Sequence, residues 1–101
     1  MNNLSELKIL ARNEVEVIEK GFACSSIIGG LFFKNSIFEF KRNLQHKYEN
    51  FVPSKSKEYG LFILVLLNGL KDEYKELAIN ELSSPDFSDI NTDEIISLLG
   101  R

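Results

Sequence analysis

The chain has 101 residues and a mass of 11.5 kDa; 44% of its residues are hydrophobic and 27% are charged. This balance predicts a single globular domain over residues 1–101 and excludes a disordered chain. The one cysteine, Cys24, and the one histidine, His46, exclude an intrachain disulfide framework and a zinc site built from cysteine and histidine.

The net charge of −3 makes direct binding of nucleic acid unfavourable for the chain as a whole. Residues 1–17 carry charges throughout and lack the apolar core of a signal peptide. The longest apolar run, residues 61–67, is far shorter than the ~20 residues that a membrane helix needs. We therefore expect a cytoplasmic protein without membrane insertion.

The first third of the chain begins with a helical pattern of apolar residues. These residues recur at steps of three and four, which is typical of one stripe on an amphipathic helix. The stripe consists of Leu4, Leu7, Ala11, Val15, Ile18 and Phe22. Gly21 is predicted to end this helix. The next segment, residues 24–33, is interrupted by Gly29 and Gly30 and is predicted as a short helix or a tight hairpin. The two glycines either let another helix approach closely or end the segment.

The middle third contains two predicted helices. Ser36 followed by Glu39 has the form of a capping box, and Pro53 closes the helix that this box opens. Ser54 or Ser56 is predicted to cap the next helix, which is apolar nearly all round and is therefore either central or exposed to a partner. Its predicted inner face comprises Tyr59, Phe62, Ile63, Leu66, Leu67 and Leu70.

The last third continues as a helix over residues 71–83, followed by a loop at residues 83–86. Asn91 or Thr92 is predicted to cap a short final helix that Gly100 ends. Together these signals predict an all-α fold. We expect a compact antiparallel bundle of five or six helices, two or three of them short.

Charge is unevenly distributed along the chain. Residues 34–57 carry a net charge of +4, whereas residues 71–101 carry −5. An acidic surface favours rapid docking onto a basic groove such as the cleft of a nuclease. The candidate partner-binding carboxylates are Asp72, Glu73, Glu76, Asp86, Asp89, Asp93 and Glu94. Phe32 and Phe38 are candidate aromatic anchors for the same contact.

Motifs for catalysis or cofactor binding are absent from the sequence. His46 has no nucleophile beside it in the helical pattern, and Cys24 lies outside any known catalytic motif. Gly29 and Gly30 lack the lysine and the serine or threonine of a nucleotide-binding loop. Residues 86–91 lack the central glycine and closing glutamate of an EF-hand. We therefore expect a protein that is not an enzyme and that holds no cofactor or metal.

Two segments carry a family resemblance. Residues 30–40 read GLFFKNSIFEF, and residues 90–95 read INTDEI at the start of the final helix. They resemble the corresponding parts of small all-α bacterial toxin-immunity proteins, of the colicin D immunity and contact-dependent inhibition immunity types. The similarity covers residues 30–51 and 90–99. It implies one-to-one inhibition of a cognate toxin, with a nuclease domain of that toxin as the expected partner, without catalysis.

Three functional hypotheses therefore stand. The first is an immunity protein that covers the active site of a toxin, such as an RNase, with an acidic surface. The second is a regulatory adaptor of a phage or mobile element that binds a host protein. The third is a nucleic-acid module that uses Lys41, Arg42, Lys47, Lys55 and Lys57. A homodimer through residues 61–67 and a monomer with that helix at its centre are both compatible with the pattern.

Overall fold

A computed structural model describes residues 3–100 of the chain. This part of the chain is all-α, as the sequence predicts, and it contains five α-helices and two short 3-10 turns. The helices are α1 (Asn3–Cys24), α2 (Ser26–Lys47), α3 (Lys57–Gly69), α4 (Asp72–Glu81) and α5 (Thr92–Leu98). The 3-10 turns are Pro53–Lys55 and Pro85–Phe87.

Helix α3 is the centre of the fold. It packs against all four other helices, and the six residues predicted for its inner face are buried. Leu61, Leu64 and Val65 on its remaining sides are partly buried against the same core. The prediction of a central helix is therefore confirmed. Because residues 61–67 are largely covered within the chain, they offer little surface for a contact between two copies.

Helices α1 and α2 form a long antiparallel hairpin. They are joined at Ser25, whose Oγ accepts a hydrogen bond from the Ile28 N–H at 3.1 Å and so caps α2. Contacts between Gly21 and Gly29 near the joint, and between Glu14 and Ser36 farther along, show the opposite directions of the two helices. The hairpin supplies one side of the core, and α3 packs against both helices.

Two predicted boundaries in this hairpin are wrong. Helix α1 does not end at Gly21, since the Ser25 N–H still donates to the Gly21 carbonyl at 3.0 Å. Residues 24–33 form neither a separate short helix nor a tight hairpin, because α2 runs unbroken from Ser26 past Gly29 and Gly30. These glycines lie where neighbouring helices approach closely, and that packing holds them in helical conformation.

Ser36 is also not a helix cap. It lies in the middle of α2, is buried, and its Oγ donates a hydrogen bond to Glu14 Oε1 of α1 at 2.6 Å. The helix ends at Lys47, well before Pro53, and the Tyr48 N–H closes the last turn by donating to the Leu44 carbonyl. The prediction of a capping box at Ser36 is therefore wrong, because the Ser36 hydroxyl contacts α1 and does not begin a helix.

The signals in the C-terminal half are confirmed. Ser56 Oγ accepts from the Tyr59 N–H at 3.2 Å to cap α3, and Asn91 Oδ1 accepts from the Glu94 N–H at 3.1 Å to cap α5. Gly100 follows α5 with a φ of +82°, a conformation that glycine adopts without strain. The helix predicted over residues 71–83 spans Asp72–Glu81, and the loop predicted at residues 83–86 overlaps the second 3-10 turn, Pro85–Phe87.

The bundle is not antiparallel throughout. Residues 81–89 run in the same direction as α2, because their contacts with α2 follow the same order along both segments. Glu81 lies against Gly30, Phe87 stacks on Phe38, and Asp89 pairs with Lys41. This arrangement brings the acidic last third of the chain alongside the basic middle, which determines how much of the charge remains at the surface.

Candidate protein-binding surface

Three of the predicted carboxylates share one exposed face of α4. Asp72, Glu73 and Glu76 lie within about 100° of one another around the helix axis, opposite the buried Ala78. We call these three residues the acidic face. Asp72 forms an ion pair with Lys75 at 3.6 Å, and its own side chain is almost fully exposed. The acidic face is therefore presented to solvent as the sequence predicts.

The start of α4 is held in place by α1. The Lys71 N–H donates to Glu19 Oε2 at 2.9 Å, and the ring of Tyr74 stacks on Phe22 with a centroid separation of 5.4 Å. Both contacts lie on the side of α4 that faces the hairpin. They orient the helix so that its carboxylates point away from the core.

Asp86 and Asp89 lie in a different environment from the acidic face. Asp86 pairs with Lys34 of α2 at 3.7 Å, and Lys34 also pairs with Glu81 at 3.3 Å. Asp89 pairs with Lys41 at 2.5 Å and is partly buried. We call these five side chains the charged seam. Since each of the three carboxylates pairs with a lysine of α2, we leave Asp86 and Asp89 out of the partner-binding surface.

One end of the charged seam reaches the core. Asp89 Oδ1 and Tyr59 Oη are both buried, and neither makes a hydrogen bond with any other residue in the part of the chain that the structure describes. Burial, together with the nearby charge of Asp89, raises the pKa of the Tyr59 phenol well above its ordinary value of 10.0. The phenol therefore stays neutral in the folded protein at any ordinary pH.

Asp93 and Glu94 occupy the first turn of α5, where negative charge is favourable. Glu94 also lines a groove of about 350 Å³ between α5 and the start of α3, with Lys55 and Lys57 on its other side. Both carboxylates are exposed. They are therefore available to a partner, but through a different element from the acidic face.

The two predicted aromatic anchors differ in their exposure to solvent. Phe38 is partly buried, and its ring stacks on Phe87 with a centroid separation of 5.6 Å. Phe32 is 40% exposed and lies across Gly21, where an added Cβ would come within 2.6 Å of the Phe32 ring. Only Phe32 is therefore presented to solvent.

Phe32 belongs to an exposed apolar surface that sequence reasoning missed. Ile27 is 74% exposed and Leu31 is 59% exposed, and Ile28 lies between them on the first turns of α2. Val17 of α1 is also exposed, one turn before Gly21, on which the Phe32 ring rests. We call Val17, Ile27, Ile28, Leu31 and Phe32 the apolar cap. The missed signal was the glycine pair: with glycines facing inward, helical spacing places these side chains outward.

The basic residues considered for nucleic-acid binding are partly engaged within the chain. Lys41 belongs to the charged seam, and Lys47 forms an ion pair with Glu58 at 3.9 Å. A hydrogen bond with Tyr48 and the charge of Glu58 raise the pKa of Lys47. Arg42, Lys55 and Lys57 are exposed, on α2 and around the start of α3. This segment therefore presents less free positive charge than its net +4 indicates.

A metal site or a membrane span would each need a specific feature within residues 3–100. In that range no three His, Cys, Asp or Glu side chains lie close enough together to hold a metal ion. None of the helices described there is long and apolar enough to cross a membrane. Comparisons of the chain with protein-family models, with curated proteins and with solved structures found no match.

Proposed function

We propose that this chain is a non-catalytic protein-binding inhibitor of the immunity type, which neutralises a cognate bacterial toxin. The partner is a basic protein, and a nuclease domain fits best because its cleft must attract phosphates. In this proposal the acidic face of α4 docks over the basic cleft. The exposed carboxylates of α5, Asp93 and Glu94, extend the negative potential that steers the approach.

The observation that supports the proposal is the contrast between two groups of carboxylates. In the charged seam Glu81 and Asp86 share Lys34, and Asp89 pairs with Lys41. On the acidic face, by contrast, Asp72 pairs with Lys75 while its own side chain stays 95% exposed, and Glu73 and Glu76 are exposed as well. Exposed negative charge is thus concentrated on one helix face. Such a face accelerates association with a basic partner and orients the encounter.

The experiment uses the tagged chain to capture its partner from the native host at moderate salt. The captured protein is then expressed alone and together with the chain. We expect a protein that arrests growth when expressed alone, and growth that recovers on co-expression. A partner that has no toxicity, or a toxicity that the chain does not relieve, would contradict the proposal.

The role of the acidic face is tested by kinetics with the captured partner. In D72N/E73Q/E76Q we expect the association rate to fall about tenfold at low salt, because the rate gain from steering is of that order or larger. The rates of variant and parent should converge as salt screens the interaction. Neutral amides are used in place of lysines so that the first turn of α4 is disturbed as little as possible.

The control variant is E16Q/E39Q/E49Q, which changes the net charge by the same amount at exposed positions away from α4. We expect its association rate to stay within about threefold of the parent, since long-range charge alone has a smaller effect than charge at the contact. If both triple variants slow association equally, net charge rather than the acidic face is responsible.

A further inference from the structure

The apolar cap is the largest group of exposed aliphatic and aromatic side chains on one surface of the described chain. Ile27 and Leu31 form one ridge at a spacing of four residues, and Ile28 and Phe32 form a second ridge beside it. Val17 adds to the surface from α1. We infer that the apolar cap is the contact surface between two copies of this chain.

The size of the cap matches what a stable dimer needs. From their exposed fractions, the five residues present about 500 Å² of surface, near the upper end for the largest apolar patch on an ordinary monomer. A standard interface buries about 800 Å² per partner, of which about 65% is apolar in homodimers. The cap therefore supplies the apolar centre of one such interface, and polar neighbours supply the rim.

The charges around the cap favour a second copy over a strongly charged partner. Residues 26–33 contain no charged side chain. The charges nearest to them are already matched within the chain: Lys34 pairs with Glu81 and Asp86, and Lys20 pairs with Glu16 at 3.6 Å. Two copies that each carry a net charge of −3 repel one another least through an uncharged surface.

The geometry of the cap also suits a two-fold axis. In a symmetric dimer the same patch is used by both copies, so it must be complementary to itself. Two parallel ridges at a spacing of four residues provide this, because the ridges of one helix fit between the ridges of an identical helix that crosses it. The contact leaves the acidic face of α4 on a separate element, and it does not depend on the proposed function.

The test needs only the purified chain. Sedimentation velocity over a wide range of protein concentration measures the dissociation constant of the dimer for the parent and for I27K/L31K. We expect a reversible dimer of twice the 11.5 kDa chain mass for the parent. We expect I27K/L31K to raise the dissociation constant at least about 100-fold, as loss of two central interface residues does.

The matched control is I9K/L98K, which introduces the same two lysines at positions that are 59% and 64% exposed, outside the cap. We expect its dissociation constant to stay within about threefold of the parent. Circular dichroism and urea unfolding check that both double variants fold. A parent that remains monomeric at all concentrations overturns the inference, as does an equal shift in both double variants.

Discussion

The two halves of helix α2 are packed in opposite ways. In the first half, residues 26–33, the buried side includes Gly29 and Gly30, whereas Ile27 and Leu31 face solvent. In the second half, residues 34–47, aliphatic side chains fill the core and polar or charged side chains face outward. The second half is an ordinary amphipathic helix, whereas the first half buries two glycines and Phe33 and exposes its aliphatic side chains.

The difference shows what close helix contact does to the distribution of side chains. At Gly29 an added Cβ would lie 2.1 Å from the Phe22 ring and 2.7 Å from the Phe22 Cα, so α1 and α2 meet there almost backbone to backbone. No large side chain fits between them. The aliphatic residues of this half therefore lie outside the core. Their exposure on the apolar cap is the reason we infer an external contact.

The largest effect that tests this comparison is expected for G29A. The new methyl group clashes with the Phe22 backbone as well as its ring, so rotation of one side chain cannot relieve the clash. We expect the hairpin to be forced apart and the free energy of unfolding to fall by about 3 kcal/mol, the upper end of typical overpacking costs. Urea unfolding measures the change.

The control for G29A is G60A in α3, where an added Cβ meets nothing within 4 Å. There alanine improves helix propensity, and we expect the free energy of unfolding to rise by about 0.5–1 kcal/mol. Opposite signs for the two substitutions would establish that close packing, and not helix propensity, governs the first half of α2. A stabilising or neutral G29A would show that α1 and α2 separate there without cost.

Most errors in the predicted helix boundaries concern the hairpin of α1 and α2. Gly21 looks like a helix end and Ser36 like a helix cap, because those residues do serve that purpose elsewhere. Gly29 and Gly30 are compatible with a helix end and with the close approach of another helix, and the sequence does not decide between the two. A one-dimensional pattern does not show that another helix lies against them. Where helices present large apolar stripes, as in α3, periodicity identified the buried residues correctly.

The candidate surface was predictable to a similar extent. Composition identified the carboxylates of the acidic face, since Asp72, Glu73 and Glu76 are neighbours on one helix. It did not show that Asp86 and Asp89 pair with lysines of α2, because those partners are far apart in the chain: Lys41 and Asp89 are 48 residues apart. The apolar cap follows from helical spacing once α2 is known to be continuous.

The next effect in size is expected at the junction between the halves, where Ser36 donates to Glu14 Oε1 at 2.6 Å. In S36A the partly buried Glu14 carboxylate loses this donor. Hydrogen bonds to charged groups contribute about 1.5–3 kcal/mol, so we expect the free energy of unfolding to fall by about 2 kcal/mol. Thermal or urea unfolding provides the measurement.

A double-mutant cycle with E14A separates the hydrogen bond from other effects of S36A. We expect a coupling energy of about 1–2 kcal/mol between the two positions. The exposed serine of α5, Ser97, serves as the control, and S97A should change stability by less than about 0.5 kcal/mol. Additive single effects at Ser36 and Glu14 would mean that the contact does not hold the two helices together.

The smallest effect concerns the seam that anchors the second half of α2, where Asp89 pairs with Lys41 and lies near the buried Tyr59. Burial and Asp89 raise the pKa of Tyr59 in the folded state, so above pH 10 the unfolded chain loses this proton while the folded chain retains it. Stability is therefore fully present below the unfolded pKa and falls as pH rises. The contribution of Tyr59 to that fall is about 1.4 kcal/mol at pH 11.

The variant Y59F removes the titrating group while it keeps the ring that packs against Phe51. We expect its free energy of unfolding to decline less than that of the parent between about pH 9 and pH 11, by the amount that Tyr59 contributes. Urea unfolding at a series of pH values measures both curves. Parallel curves would mean that Tyr59 ionises as readily in the folded protein as in the unfolded chain. The charged seam beside the second half of α2 would then be open to water. The two halves of α2 would in that case differ in solvent access as well as in packing.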